Sequence, residues 1–208
     1  MNIKKHIPNL ITLLNLTCGL LAVIAIFRDQ EAEAFWFVCL GIFFDFWDGF
    51  FARKYNVSGD LGLQLDSLAD VVTCGVVPGL MIFKLIENLQ IDSTSPYFLT
   101  EDTWYMGFVP YLGFLITLAS CYRLAKFNID TRQTDSFIGL PTPANAMFIM
   151  SLPMIRFSYE DQWAGMLVKN PFILLAITII SAYILNAEIP LFSLKIKEFT
   201  WAKYKMQI

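Results

Sequence analysis

Four aspartates occur within two strongly apolar segments of the sequence, where carboxylates are rare. Asp45 and Asp48 lie in the first of these segments, and Asp66 and Asp70 lie in the second. A charged side chain at the centre of a membrane helix costs about 2.5–3.5 kcal/mol on insertion scales, so such residues are expected to serve a function. The alternative is that the segments are drawn incorrectly and the aspartates lie in water. Helical geometry discriminates between the two interpretations.

If both segments are helical, the four carboxylates lie at similar depths. With a rise of about 1.5 Å per residue, Asp48 lies about 7.5 Å and Asp45 about 12 Å below Arg53 at the end of the first segment. Counted from Asp60, at the start of the second helix, Asp66 lies about 9 Å deep and Asp70 about 15 Å deep. Because only a short loop joins the segments, the helices run antiparallel. The carboxylates therefore converge from two neighbouring helices.

Each aspartate pair shares one helix face, within a stripe of about 80–100°, with small residues: Gly49 and Ala52 on the first helix, and Gly62 on the second. Four carboxylates in a medium of low dielectric repel one another, so either several are protonated or cations lie among them. Carboxylate sites suit Mg²⁺ or Mn²⁺, and a diphosphate can supply further oxygens. The small side chains leave room for a substrate, although close helix packing is also a reason to have them.

Six apolar segments are candidates to position these residues, since a helix needs about 20 residues to cross a membrane. They cover approximately residues 8–27, 35–52, 61–86, 106–125, 138–156 and 171–191. The chain of 208 residues is 56% hydrophobic and 16% charged, whereas soluble domains contain about 25% charged residues. We therefore expect an all-α integral membrane protein, with one domain over residues 1–208 that forms a bundle of six transmembrane helices.

The distribution of Lys and Arg predicts the orientation of this bundle, since cytoplasmic flanks are enriched in both. If both termini are cytoplasmic, most basic residues lie on that side: Lys4, Lys5, Arg53, Lys54, Arg123, Lys126, Arg132, Lys195, Lys197, Lys203 and Lys205. The opposite side then has Arg28, Lys84, Arg156 and Lys169. We expect a multi-pass protein of the cell's inner membrane with the aspartates facing the cytoplasm. The net charge of −3 lacks the basic excess that nucleic-acid binding requires.

The aspartates and small residues together form a spaced motif: Asp45-x-x-Asp48-Gly49-x-x-Ala52-Arg53, eight further residues, then Gly62-x-x-x-Asp66-x-x-x-Asp70. At every fixed position this motif resembles the signature of the CDP-alcohol phosphotransferase family. The resemblance implies a six-helix membrane bundle, usually a homodimer among membrane lipids. It also implies transfer of a phosphatidyl group from CDP-diacylglycerol to an alcohol, with release of CMP.

The resemblance also implies roles for individual residues. It assigns Asp45, Asp48 and Asp66 to a site for two metal ions that holds the CDP diphosphate. It assigns Asp70 to the general base, and Asp70 is a fourth candidate metal ligand. The nucleotide site would be lined by Asp48 together with Gly49, Ala52, Arg53 and Gly62. Two metal ions suit this reaction because they can clamp a diphosphate and stabilise the departing CMP.

Two further segments resemble the phosphatidylserine synthase branch of this family. One is Ile7-Pro8-Asn9-Leu10-Ile11-Thr12 followed by Asn15 and Gly19; the other is Arg123-Leu124-Ala125-Lys126-Phe127-Asn128 followed by Phe137-x-Gly139-Leu140-Pro141-x-Pro143-Ala144. This resemblance implies L-serine as the acceptor and phosphatidylserine as the product. A guanidinium suits the serine carboxylate, so Arg123, Lys126 and Arg132 are candidates to bind it. Ordinary cytoplasmic flanking is an alternative explanation of these cations.

Other functions are compatible with parts of the pattern. The acceptor could instead be glycerol phosphate, inositol phosphate or another alcohol, because a phosphorylated acceptor would also need basic residues. The donor could be an ether-linked analogue of CDP-diacylglycerol. A more distant alternative is an ion or proton transporter that uses the acidic cluster as its coupling site. The glycines and Arg53 at fixed spacing have no evident role in transport, which disfavours that alternative.

Overall fold

The computed structural model describes residues 6–55, 57, 59–92, 96–97, 101–129, 137–158, 162–188 and 190–191. These residues form α1 (Ile7–Phe27), α2 (Glu31–Lys54), α3 (Asp60–Asp70), α4 (Val77–Ile91), α5 (Leu115–Ile129), α6 (Thr142–Ser158), α7 (Trp163–Val168) and α8 (Pro171–Asn186). A π-helical turn (Val71–Val76) joins α3 to α4, and a 3₁₀ segment (Glu101–Phe114) precedes α5. Apart from one short antiparallel pair, β1 (Phe137–Ile138) and β2 (Pro190–Leu191), the regular structure in these ranges is helical.

Four helical stretches are long and apolar enough to cross a membrane: Ile7–Phe27, Glu31–Lys54, Asp60–Ile91 and Met106–Ile129. They coincide with the first four predicted spans, which confirms a helical architecture with several candidate membrane-spanning helices. The fifth and sixth predicted spans correspond to α6, with 17 residues, and α8, with 16 residues. Both are shorter than the roughly 20 residues that a full crossing requires. The count of six spans and the orientation of the termini therefore stay predictions.

The third predicted span is not a uniform α-helix. It is regular from Asp60 to Asp70, passes through the π-helical turn and becomes α-helical again at Val77. Pro78 provides a local reason, because it has no N–H to donate to the carbonyl four residues earlier and its ring crowds that carbonyl. A wider turn relieves this contact, and π turns are frequent at functional sites.

The fifth predicted span also begins later than expected, at Thr142 rather than near residue 138. The residues before it leave the helical conformation at Gly139, which has a φ of 75°. Pro141 disfavours a helical conformation for the residue that precedes it. The extended segment is instead joined to the end of α8, where Leu140 N donates to Ile184 O at 3.3 Å.

The core of the protein surrounds α4. Large side chains of this helix are almost fully buried, including Met81, Ile82, Leu85 and Ile86. They pack against residues from several other helices, such as Ala22 of α1, Ile116 of α5 and Ile149 of α6. Since α3 continues through the π turn into α4, the second pair of aspartates is fixed to the most buried part of the molecule.

Candidate active site

Three of the four aspartates form one cluster. Asp45 and Asp48 of α2 and Asp66 of α3 each contribute a carboxylate oxygen, and these oxygens lie within 4.8 Å of one another. Asp48 is only 5% exposed, and the other two are partly buried. The cluster arises because both acidic helices lie against α1 and present their acidic faces to the same region.

This set of oxygen donors fits a hard divalent cation. Carboxylates are the ligands that Mg²⁺ and Mn²⁺ prefer, and three of them are close enough here to share an ion. Asp66 Oδ1 is buried and has no hydrogen-bond partner in the structure. A buried carboxylate oxygen without a partner is costly, whereas coordination to a cation would satisfy it. The geometry therefore suits a metal ion without requiring a large rearrangement.

Asp70 is not part of this three-carboxylate group. It is the last residue of α3, directly before the π turn, and it is 7% exposed. Its Oδ1 accepts a hydrogen bond from Asn15 Nδ2 at 3.1 Å. The fourth aspartate thus lies outside the group of three close carboxylate oxygens and accepts its own hydrogen bond from α1.

A cavity of about 180 Å³ lies beside the cluster. All of the residues expected at the nucleotide contribute to its wall: Asp48, Gly49, Ala52, Arg53 and Gly62. Asp66 also lines the cavity, so the carboxylates meet the open space directly. The residues to which the family resemblance assigns the nucleotide therefore lie around one volume.

The glycines that line the cavity are not needed for helix packing. A Cβ atom at Gly62 would lie 3.5 Å from Asn9 Oδ1, which is an ordinary contact. The three atoms nearest to a Cβ at Gly49 would all belong to the guanidinium of Arg53, the first at 3.3 Å, and that group can move. The structure therefore favours the explanation that these residues keep space free, over the explanation that they allow helices to approach closely.

Helix α1 supplies two polar side chains to which the sequence analysis gave no chemical role. Thr12 Oγ1 donates to Asp48 Oδ2 at 2.5 Å, and Asn15 donates to Asp70. Thr12 is 3% exposed and Asn15 is fully buried. The available signal was the spacing of Asn9, Thr12 and Asn15, three residues apart in an apolar helix, which places them on one side of it.

Comparison with known proteins connects this geometry to a family. The sequence profile of the CDP-alcohol phosphatidyltransferase family matches residues 5–186. The chain belongs to the CDP-alcohol phosphatidyltransferase family. The match extends over nearly all of the described helices and includes the complete aspartate motif, so the resemblance inferred from that motif is confirmed.

Several relatives of this phosphatidyltransferase have assigned names. A protein of Bacillus subtilis named CDP-diacylglycerol–serine O-phosphatidyltransferase is 35% identical over 160 residues, which cover 75% of this chain and 78% of the relative. A protein of Methanocaldococcus jannaschii with the same name is 32% identical over 154 residues, which cover 74% of this chain and 63% of the relative. An archaetidylserine synthase of Methanothermobacter thermautotrophicus is 29% identical over 188 residues, which cover 86% of this chain and 70% of the relative.

Two of the residues predicted to bind the acceptor, Arg123 and Lys126, are not among the described residues that line the cavity. Arg123 Nη1 donates to Leu185 O at 2.6 Å, and Nη2 donates to Gly139 O at 3.3 Å. Lys126 Nζ pairs with Glu188 Oε1 at 3.3 Å. Arg132 lies outside the described residues. These contacts join α5 to the end of α8, and the role of the three cations in acceptor binding stays a prediction.

Proposed function

We propose that this protein transfers the phosphatidyl group of CDP-diacylglycerol to the hydroxyl of L-serine, which yields phosphatidylserine and CMP. The similarity to the Bacillus subtilis enzyme named for this reaction carries the proposal. The lining of the cavity by the expected nucleotide residues supports it independently. In the reaction, a bond forms between the serine oxygen and the phosphorus of the phosphatidyl group. The bond from that phosphorus to the CMP oxygen breaks.

Asp45, Asp48 and Asp66 are the proposed ligands of two Mg²⁺ or Mn²⁺ ions, with Asp70 as a further candidate ligand. When bound, such ions supply positive charge that offsets the charge of the diphosphate and of the departing CMP. Arg53 lies at the wall of the same cavity, where its guanidinium can donate to phosphate oxygens. The open space at Gly49, Ala52 and Gly62 accommodates the nucleotide.

Asp70 is the proposed general base, which accepts the proton of the serine hydroxyl during attack on phosphorus. Its Oδ1 already accepts a hydrogen bond from Asn15, so Oδ2 is the oxygen proposed to receive the proton. Burial favours this role because water competes less for the carboxylate.

Arg123, Lys126 and Arg132 are the proposed ligands of the serine carboxylate. Arg123 and Lys126 lie one turn apart near the end of α5, the end that the distribution of basic residues assigns to the cytoplasm. The six apolar segments support six membrane spans, and the distribution of basic residues supports cytoplasmic termini and an active site that faces the cytoplasm from the inner membrane. A homodimer is proposed from the family resemblance alone.

The proposal is tested with purified protein in detergent, labelled CDP-diacylglycerol and a panel of alcohols. We expect release of CMP that depends on L-serine and on a divalent metal and that disappears in Asp70→Asn. Asp60→Asn is a matched control, because Asp60 is an exposed acid at the start of the same helix. Transfer to glycerol 3-phosphate or an inositol phosphate, with none to serine, would refute serine as the acceptor.

A second candidate keeps the reaction and changes the donor. The similarity to the archaetidylserine synthase favours an ether-linked lipid as an alternative. Measuring kcat/KM for CDP-diacylglycerol and for its ether-linked analogue, with serine as the acceptor, decides between the two. Metal-dependent ion flux in liposomes without release of CMP would instead favour a transporter.

A further inference from the structure

We propose that Asn15 is a positioning residue that fixes the orientation of the Asp70 carboxylate for proton transfer. The inference rests on the proposed function, because it concerns the same reaction. Asn15 Nδ2 donates to Asp70 Oδ1 at 3.1 Å, and neither side chain has more than 7% of its surface exposed. Neither residue is among the described residues that line the cavity, and the contact of Asn15 with the proposed reaction is its hydrogen bond to Asp70.

The position of Asn15 is itself tightly determined. Thr73, within the π turn, donates from Oγ1 to Asn15 O at 3.2 Å. A Cβ atom at Gly41 of α2 would lie 2.9 Å from Asn15 Oδ1 and 2.8 Å from Thr73 Cγ2. One at Gly19 of α1 would lie 2.6 Å from Thr73 Oγ1. Gly19 and Gly41 thus allow α1, α2 and the π turn to pack closely around the Asn15 amide.

Asp70 is the last residue of α3, directly before the π turn Val71–Val76. The same turn contains Thr73, which bonds to the backbone of Asn15. The amide of Asn15, held by the backbone bond from Thr73, supplies an external constraint. Because Asp70 Oδ1 accepts this hydrogen bond, Asp70 Oδ2 is the oxygen available to a substrate hydroxyl.

Thr12 provides an informative contrast on the same helix. It donates to Asp48, a member of the three-carboxylate cluster, and it lines the cavity. Loss of its hydroxyl is therefore expected to weaken binding of the donor or of metal. Loss of the Asn15 amide is expected to slow turnover and to leave binding unchanged. A general structural defect would not separate these two effects.

The test compares Asn15→Leu, which removes the N–H donor without adding a charge, with the wild type. CDP-diacylglycerol binding without serine gives the concentration of active sites and the dissociation constant. We expect kcat per bound donor to fall about 10–100-fold, because misplacement of a reacting group by about 1 Å costs roughly that much. The dissociation constant and the KM for serine should change less than about threefold, which corresponds to about 0.65 kcal/mol.

Three further variants keep the inference falsifiable. Thr73→Val removes the bond to Asn15 O and should lower kcat in the same direction, whereas Thr73→Ser keeps the hydroxyl and should retain it. Thr178→Val is the matched control, because Thr178 is a fully buried threonine whose hydroxyl donates within α8, to Leu174 O. It should leave both parameters unchanged.

Two results would overturn the positioning role. One is an unchanged kcat per bound donor in Asn15→Leu; the other is an equal loss of donor affinity and kcat in that variant. If Asn15→Leu does not fold, Thr73→Val against Thr73→Ser decides the question by the same two readouts. A wild-type protein that binds the donor but does not transfer to serine would refute the proposed acceptor. The inference is then tested as the ratio of variant to wild-type rates with the acceptor that is used.

Discussion

Replacement of Gly139 by alanine should destabilise the protein without changing any charge. Gly139 has a φ of 75°, a conformation that costs residues with a Cβ roughly 1–2 kcal/mol. An added Cβ would also lie 2.6 Å from Arg123 Nη1, 2.9 Å from Leu185 O and 3.0 Å from Ala187 O. Two of these three neighbours are backbone carbonyls, which cannot rotate away. The substitution therefore acts on the contact between α5, the segment before α6 and the end of α8.

The expected size follows from these two contributions. Insertion of a methyl group into a closely packed site costs typically about 1–3 kcal/mol, so backbone strain and crowding together amount to about 2–5 kcal/mol. In a protein of this size, 1 kcal/mol lowers the melting temperature by roughly 2–4 °C. We therefore expect Gly139→Ala to melt roughly 4–20 °C below the wild type.

The assay is thermal unfolding in one detergent, followed by intrinsic tryptophan fluorescence. Gly59→Ala is the matched control, because Gly59 has an extended φ of −157° and an added Cβ there would have no neighbour within 4 Å. Its melting temperature should stay within about 2 °C of the wild type. If Gly139→Ala and Gly59→Ala have the same melting temperature, the hydrogen bonds of Arg123 to Gly139 O and Leu185 O do not contribute to the stability of the folded state.

Three other predictions concern the site. Gly62→Ala should leave the melting temperature unchanged, because the new Cβ makes only an ordinary contact. It should raise the KM for CDP-diacylglycerol about tenfold, because the added methyl group fills part of the cavity. An unchanged KM would contradict the placement of the nucleotide in this cavity. Lys126→Met should lower the melting temperature by only a few degrees, since its partner Glu188 is 65% exposed and such pairs contribute at most about 1 kcal/mol. A KM for serine that does not rise in that variant would remove Lys126 from the acceptor site. Chelation by EDTA should abolish release of CMP, and Mg²⁺ or Mn²⁺ should restore it; full activity in EDTA would exclude the metal site.

The acidic helices could be predicted from the sequence because helical periodicity is a local property. Spacing alone placed Asp45 and Asp48 on one face of the first acidic helix and Asp66 on one face of the second. The structure brings these three carboxylates together. The sequence left the role of the small residues open, since both substrate access and close helix packing require small side chains. Only the surroundings decide: Gly62 has space above its Cα, whereas Gly41 is in contact with another helix.

The features that the sequence did not reveal depend on contacts between distant elements. The partners of Arg123 include a carbonyl 62 residues away, on a helix whose position no local pattern specifies. The same is true of Asn15, which is 55 residues from Asp70. The late start of α6 results from the extended segment at Gly139, which is joined to α8 by a backbone bond and by Arg123. Sequence periodicity describes the faces of helices, but it does not say which faces meet.

Because of the π turn, the rotation of α3 about the helix axis is set independently of the rotation of α4. Each additional residue in a turn rotates everything that follows by about 100° relative to a continuous α-helix. The acidic half of the span can therefore be oriented by the carboxylates, and the half with Met81 and Leu85 by apolar packing. Mutations that repack α4 and mutations that alter the acidic face are thereby partly uncoupled. The packing of α4 in the core can therefore change while the orientation of the carboxylates is retained.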